Sequence, residues 1–277
     1  GFYSVNPANG MVLYYELPKL KDSTALTMEI RNAKGNLVRT ISSEKDPKYK
    51  PHNGGGPSPE PILSKKEGLN RFVWNMSHST MPGIPGAYIE AGFNGHKAIP
   101  GIYDIQLKAG GKVVKTKGEI KAVPTFETKL DQYEAFDVLM TEMETKVTEM
   151  HNMVNKLYDV QGDLKELLED VVNTDVKKEG KALLEKMDAW DKDMIQRKSQ
   201  AYDDVENFPN KFTAEYLFLI NQTNSSIPRV NNANLDRKKE LDLQWNSLKS
   251  RGMQLLEKDI LSMNKKLWEA GIGALRL

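Results

Sequence analysis

Four histidines are the side chains of this sequence best suited to bind a metal ion or to transfer a proton: His52, His78, His96 and His151. Histidine is a common zinc ligand and titrates close to neutral pH. Their spacing matches no ligand motif such as H-x-x-x-H, although the first three fall in two segments rich in proline and glycine. Two interpretations are open: a metal site in the loops built from these three histidines, or surface histidines without a functional role. The missing ligand motif favours surface histidines, so we predict no metal.

Paired carboxylates could hydrolyse a glycosidic bond if they faced each other across a sugar. The closest acidic residues are Asp188, Asp191 and Asp193, followed by the adjacent Asp203 and Asp204. Helical neighbours at these spacings ordinarily form a solvated face with salt bridges. We therefore predict no catalytic carboxylate.

Other catalytic or cofactor-binding motifs are also missing from the sequence. No G-x-S-x-G motif marks a nucleophilic serine. The glycine run in residues 52–57 lacks the Lys-Ser/Thr pair of a phosphate-binding loop. We predict no cofactor and no enzymatic activity for this chain.

The amino-acid composition and the net charge exclude further classes of functional site and partner. The 277 residues include no cysteine, which excludes disulfides, zinc-thiolate sites and cysteine nucleophiles. The longest apolar runs are four to six residues, whereas a membrane helix needs about 20. The formal net charge is +1, and nucleic-acid binding would need a strongly basic face. We predict neither a membrane span nor a nucleic-acid partner.

The chain divides near residue 125. Residues 1–125 hold 15 of the 20 glycines and 11 of the 13 prolines, and their formal charge is +7 against −6 for residues 126–277. Glycine and proline punctuate strands and are costly inside helices. We predict an α+β multidomain protein, with a β domain in residues 1–125 and a helical domain in residues 126–277.

Short segments of alternating hydrophobicity predict strands in the first domain. The segments are MVLYYELP, ALTMEI, LVRTIS, NRFVWNM, GIYDIQLKAG and KVVKTKGEIKAV. Gly35 fits the left-handed position of a hairpin turn, and Gly110-Gly111 fits a second tight hairpin. About six or seven short strands joined by turns favour an Ig-like or fibronectin-like β-sandwich.

Two long loops, residues 44–66 and 77–100, interrupt the predicted sandwich. Loops of this length are either binding loops or mobile ones. Exposed aromatic rings can stack on sugars, so a carbohydrate-binding module is one functional alternative. Its candidate binding residues are Tyr49, His52, Tyr88, Phe93 and His96.

Apolar residues at helical spacing fill the second domain. The spacing 3,4,3,4,3,4,3 runs without a fault through Tyr133, Phe136, Met140, Met143, Val147, Met150, Val154 and Leu157. We expect this helix to stop or kink near Gly162, a second to run to Pro209, a third before Ser225–Pro228, and a last after residues 231–234. Three to four such helices favour an antiparallel bundle. A coiled coil between chains is the alternative.

Several segments resemble a known family. In order along the chain, the matching segments are NPANGMVLYYELP, LTMEIRNAKGNLVRTI, GLNRFVWNM, IPGIYDIQLKAGGK, FPNKF, SSIPR and DILSMNKKLWEAGI. Together they resemble the C-terminal region of bacterial sortilin-type β-propeller proteins, which carry BNR-like repeats and are often labelled glycosyl hydrolases. The resemblance covers nearly the whole chain, but its motifs are structural. The two loops, 44–66 and 77–100, depart from the short linkers usual in that family.

The resemblance implies a propeller in the parent protein, followed by an Ig-like sandwich and a helical tail. No S-x-D-x-G-x-T-W box occurs here, so no family catalytic residue transfers. We expect a non-catalytic accessory or interaction module that packs on or presents the propeller, with a glycan or another protein as a further possible partner. Part of a glycosidase whose catalytic propeller lies outside this chain is another alternative.

The resemblance also implies a place in the cell. We expect a periplasmic or extracellular protein of a Gram-negative bacterium. No basic and apolar leader opens the sequence at Gly1, so we expect a fragment of a longer secreted chain without its signal sequence.

Overall fold

A computed structural model describes residues 6–47, 49–52, 54–124 and 128–276. The protein is α+β: two antiparallel β-sheets precede a set of helices along the chain. The domain boundary predicted between residues 125 and 126 lies outside the described residues.

All six predicted strand segments form strands. Their bounds are β1 Met11–Leu17, β2 Leu26–Asn32, β3 Leu37–Ser42, β4 Gly68–Trp74, β5 Gly101–Ala109 and β6 Lys112–Ile120. One sheet pairs β1 with β4, and the other has the order β3-β2-β5-β6. Both predicted hairpin turns form, since Gly35, Gly110 and Gly111 adopt positive φ angles of 81°, 52° and 81°.

The two sheets contribute to one hydrophobic core because alternate residues of their strands point inward. Tyr15 and Trp74 from the smaller sheet lie in the same buried cluster as Met28 and Ile105 from the larger sheet. Trp74 packs edge-on against the Tyr103 ring with 5.4 Å between centroids. Trp74 is accordingly almost fully buried.

The second half of the chain is helical. The helices are α1 Leu130–Asp170, α2 Thr174–Met194, α3 Phe212–Asn224, α4 Asn232–Gln254 and α5 Ile260–Glu269, with a short 3₁₀ helix at Tyr202–Glu206. Helix α1 packs against α2 and α3, while α2 contacts α4 and α5. The heptad residues of α1 are buried, as their spacing predicts. Among the described helices, none is both long and apolar enough to cross a membrane.

Two predicted helix ends are wrong. Helix α1 is 41 residues long and continues through Gly162 to Asp170. It continues because the packed stripe extends on both sides of Gly162 through the buried residues Leu157, Val160, Leu164 and Leu168. That packing outweighs the cost of about 1 kcal/mol for a glycine inside a helix.

The second helix ends at Met194 rather than near Pro209. The Asp204 carboxylate accepts hydrogen bonds from the backbone N–H groups of Gln200 and Ala201, at 2.8 and 3.0 Å. Such a local side-chain cap competes with continuation of the helix. A new short helix therefore starts at Tyr202.

Helices α4 and α5 are joined by a π-helical turn at Leu255–Asp259. A π turn adds one residue to the helical repeat. The buried positions Leu255 and Ile260 are consequently five residues apart, and Leu255 rather than Leu256 is buried. The turn thus keeps both halves of the long helix facing the core.

Two helical glycines have opposite surroundings and give a matched prediction. Gly162 has open space where a Cβ would lie, so Gly162→Ala should stabilise the fold by about 0.5–1 kcal/mol. A Cβ on Gly252 would lie 2.4 Å from Met153 Sδ and 3.0 Å from Trp190 Cζ2. Gly252→Ala should therefore cost about 1–3 kcal/mol through overpacking. Urea denaturation followed by circular dichroism measures both, and equal effects at the two sites would contradict the close packing at Gly252.

Candidate functional site

A short antiparallel pairing brings two histidines together beyond the end of β4. Ser77 pairs with Lys97 in an isolated bridge, and the backbone N–H of His78 donates to the carbonyl of His96 at 2.9 Å. Residues directly opposite on antiparallel strands place their side chains side by side. The rings of His78 and His96 accordingly stack with 3.8 Å between centroids.

Helix α1 supplies two carboxylates to the same place. Asp137 and Glu144 are seven residues apart, so they lie two turns apart on one helix face. Both flank the buried heptad stripe, next to Phe136 and Met143. Packing of that stripe therefore turns the two acids toward the histidine pair.

We name His78, His96, Asp137 and Glu144 the histidine–carboxylate cluster. Asp137 Oδ1 lies 3.1 Å from His96 Nε2 and 3.4 Å from His78 Nε2. Glu144 Oε2 lies 3.0 Å from His96 Nδ1, and Glu144 Oε1 accepts the His96 backbone N–H at 2.6 Å. One atom each from His78, His96 and Asp137 falls within 4.8 Å of the others. These three residues could hold a metal ion.

Burial and charge set the protonation of the cluster. The His96 side chain is 0% exposed. Burial alone would lower the pKa of His96, but hydrogen bonds and charges from Asp137 and Glu144 outweigh it and raise the pKa to about 9. Burial would raise the pKa of Asp137, yet its hydrogen bonds to His78 and His96 hold that pKa well below its usual range. Without a metal, the cluster is an ion-paired network with a cationic His96.

Sequence reasoning found His96 but missed the group it belongs to. The surface interpretation is wrong for His96, which is fully buried. Of the three histidines weighed as a loop metal site, His78 and His96 are in the cluster, whereas His52 is not and Asp137 takes the third position. A signal was present in the spacing of Asp137 and Glu144 along the heptad pattern, but only tertiary pairing places them beside the histidines.

Phe93, another candidate binding residue, is buried among residues of the helices. It is 3% exposed and belongs to a buried cluster with α1 and α3 residues. Met81, Ile84 and Ile89 from the same segment belong to that cluster too. Residues 81–93 are therefore part of the helical core rather than a free loop of the β domain.

Polar contacts fix the same segment to the helices. His151 on α1 donates its Nδ1–H to the Pro82 carbonyl at 2.6 Å, and Asn155 donates to the Gly83 carbonyl at 2.9 Å. Asn221 on α3 exchanges two hydrogen bonds with the backbone of Gly92 at 2.9 and 3.0 Å. These partners satisfy backbone groups that burial would otherwise leave unpaired.

The remaining candidate binding residues, Tyr49, His52 and Tyr88, lie near the three glycines at positions 54–56. The ring of Tyr88 lies against the backbone of Gly54 and Gly55, where a side chain would not fit. The half-buried His52 similarly lies between Gly56 and Gly83. Tyr49 donates its hydroxyl to the Pro57 carbonyl at 3.2 Å. His52 and Tyr88 thus connect the glycine run to residues 77–100, whereas Tyr49 bonds within its own segment, and neither tyrosine is fully exposed.

The acidic residues near the end of α2 are paired with basic ones. Asp188 pairs with Lys192 and Asp193 with Arg251. Asp191 accepts two hydrogen bonds from Arg197 at 2.6 and 2.7 Å. Such pairing is what a salt-bridged face requires.

A surface depression of about 450 Å³ lies elsewhere, lined by Asp163, Glu166, Asp170 and Arg276 among others. Asp163 follows Asp137 by 26 positions on the same helix, a distance of about 39 Å at 1.5 Å per residue. The depression and the histidine–carboxylate cluster are therefore separate places on the molecule.

Comparison with known proteins adds no assignment. No protein-family model matches the chain, and no curated protein or solved structure matches it. The functional interpretation therefore depends on the geometry of the chain and on the family resemblance of its sequence segments.

Proposed function

We propose that this chain is a non-catalytic accessory module of a larger secreted β-propeller protein. In this proposal the two sheets form an Ig-like β-sandwich, the helices form an antiparallel bundle, and the module packs on or presents the propeller. The observation that carries the proposal is that residues 81–93, which belong to one of the two long loops considered for binding, lie in the helical core. The segment is used to join the two halves.

The internal pairing of the reactive side chains supports the same proposal. His96 is enclosed by carboxylates, and Asp191 is paired with Arg197. General acid–base catalysis needs such groups to reach a substrate. A scaffold instead uses them to hold segments together, which is how these residues are placed.

The outer face of β1 and β4 is the surface we assign to the propeller. Tyr14 is 64% exposed and Leu69 is 73% exposed, and Val12 is also exposed beside them. Tyr14 pairs with Arg71 and Val12 with Val73 in the strand register. Exposed apolar side chains grouped on one face are typical of a surface that meets another domain. In the architecture implied by the family resemblance, the propeller precedes β1.

A binding experiment with the separately purified propeller region of the parent protein tests this assignment. We expect the module to bind the propeller and to hydrolyse no glycoside. The double variant Tyr14→Glu, Leu69→Glu should weaken binding at least about 10-fold, because it places charges in an apolar contact. Val114→Glu is the matched control, since Val114 is equally exposed but lies on β6.

Three results would overturn the proposal. They are an absence of propeller binding, hydrolysis that a carboxylate substitution in the module abolishes, and equal binding by the double variant and its control. Calorimetric titration of the module with a glycan panel addresses the carbohydrate-binding alternative. Saturable glycan binding lost on Tyr88→Ala would favour that alternative.

A further inference from the structure

We propose that His78, His96 and Asp137 form a binding site for a divalent transition-metal ion, with zinc as the preferred ion and Glu144 as the residue that orients His96. The inference goes beyond the proposed module function. It comes from the convergence of nitrogen and oxygen ligands from three separate places in the chain.

The spacing of the ligand atoms suits a small tetrahedral ion. Zinc binds histidine nitrogen and carboxylate oxygen at about 2.0–2.2 Å, so two ligands on a tetrahedron lie about 3.3 Å apart. Asp137 Oδ1 is 3.1 Å from His96 Nε2 and 3.4 Å from His78 Nε2. Both pairs are within a few tenths of an ångström of that separation.

Glu144 gives His96 the orientation of a metal ligand. Its Oε2 lies 3.0 Å from His96 Nδ1, and its Oε1 accepts the His96 backbone N–H. A ligating histidine characteristically donates its second ring N–H to a carboxylate, which fixes the tautomer and raises ligand basicity. Zinc would displace the Nε2 proton of the cationic His96. With the Nδ1–H directed at Glu144, the Nε2 lone pair freed in this way is directed toward Asp137 and His78.

The ligand set selects the class of ion. Two imidazoles and one carboxylate suit zinc and neighbouring transition metals, whereas calcium and magnesium prefer oxygen ligands. Coordination requires the stacked rings, now 21° apart in plane, to open. The His78 side chain is 14% exposed, whereas His96 is fully buried and held by Glu144, so we infer that His78 is the ring that tilts.

Metal binding would link residues 77–100 to helix α1. His78 and His96 lie at the two ends of that segment, and Asp137 lies on the helix against which the segment packs. An ion that binds the folded state and not the unfolded chain stabilises the fold by mass action. We expect zinc to raise the thermal unfolding midpoint of the protein, and to raise it further as the zinc concentration increases.

The test uses the whole chain after dialysis against a chelator. Zinc titration by calorimetry should show one ion per chain, and cobalt should give the visible absorption of a four-coordinate site with nitrogen and oxygen ligands. Glu144→Gln should weaken zinc binding by about 10–100-fold. His78→Gln and Asp137→Asn should each weaken it by more than Glu144→Gln does. His52→Gln is the control and should bind like the unmodified protein.

Circular dichroism checks that each variant is folded. If Asp137→Asn does not fold, the zinc affinity of His78→Gln is the test instead, because His78 is the less buried of the two histidines in the cluster. Absence of zinc and cobalt binding would overturn the proposal. Undiminished zinc binding by a folded His78→Gln variant would do the same, because the ion would then lie elsewhere. Binding of magnesium or calcium in preference to zinc would also refute the nitrogen-rich site.

Discussion

Replacing Phe93 by alanine should destabilise the helical half of the protein by about 3–5 kcal/mol, the usual cost of removing a buried phenylalanine. Phe93 is almost fully buried among helix residues, although it lies in the β-rich part of the sequence. The ellipticity of the helices, followed during urea denaturation, measures the effect. The expected result is that the helices unfold at a lower urea concentration than in the unmodified protein.

Phe218→Ala is the matched control. Phe218 lies on α3 but is 58% exposed, so its removal should change stability by no more than about 0.5 kcal/mol. If Phe93→Ala left the helical transition unchanged, residues 81–93 would not be part of the helical core. The segment would then not join the β-rich half of the chain to the helical half.

Lowering the pH from 6.5 to 4 should remove about 3 kcal/mol of stability through His151 alone, at about 1.4 kcal/mol per pKa unit. His151 is fully buried, and burial lowers its pKa to about 4. The folded state therefore binds this proton less readily than the unfolded chain does. The stability is fully present above the unfolded pKa of about 6.5 and is lost as the pH falls through that interval.

The surroundings of His151 offer little to stabilise a charged ring. Its Nδ1–H donates to the Pro82 carbonyl, its ring lies 6.0 Å from the Phe93 ring between centroids, and its Nε2 is buried with no hydrogen-bond partner in the described part of the chain. Protonation would thus place an unpaired charge in an apolar interior.

The measurement is urea denaturation at pH 7 and pH 4 for the unmodified protein and His151→Gln, which keeps a hydrogen-bond donor but does not titrate. Carboxylates also contribute to acid destabilisation, so the quantity of interest is the difference between the two proteins. His151→Gln should lose about 3 kcal/mol less between the two pH values. A His52→Gln control should retain most of the loss, and parallel pH profiles for all three proteins would contradict the assignment to His151.

The sequence predicted the local elements well. All six strands and both glycine hairpin turns occur where alternation and turn residues predict them. The heptad stripe of α1 is buried as expected. These features depend on residues close together in the chain. Hydrophobic residues that repeat every 2 positions predict strands, and those that repeat every 3.6 positions predict helices.

Helix ends were predicted less well because competing local interactions determine them. Gly162 is tolerated inside α1 because the flanking apolar residues stay packed, whereas Asp204 caps a new helix where continuation was expected. The π turn at Leu255–Asp259 also leaves no single-residue signal in the sequence. In each case the position depends on two opposing contributions to the folding free energy, the local cost of the backbone conformation and the gain from packing against distant residues.

The amino-acid sequence by itself determined the division into β-rich and helical parts, the strand segments, and the absence of cysteine chemistry, since composition and periodicity act within a few residues of each position. Tertiary structure alone decided that residues 81–93 belong to the helical core and that His78, His96, Asp137 and Glu144 meet. The physical reason is that this packing joins residues far apart in the chain, such as His96 with Asp137, 41 positions apart, and Gly92 with Asn221, 129 positions apart. No local pattern encodes such contacts, because they arise from how the strand pairing and the helix face are brought together.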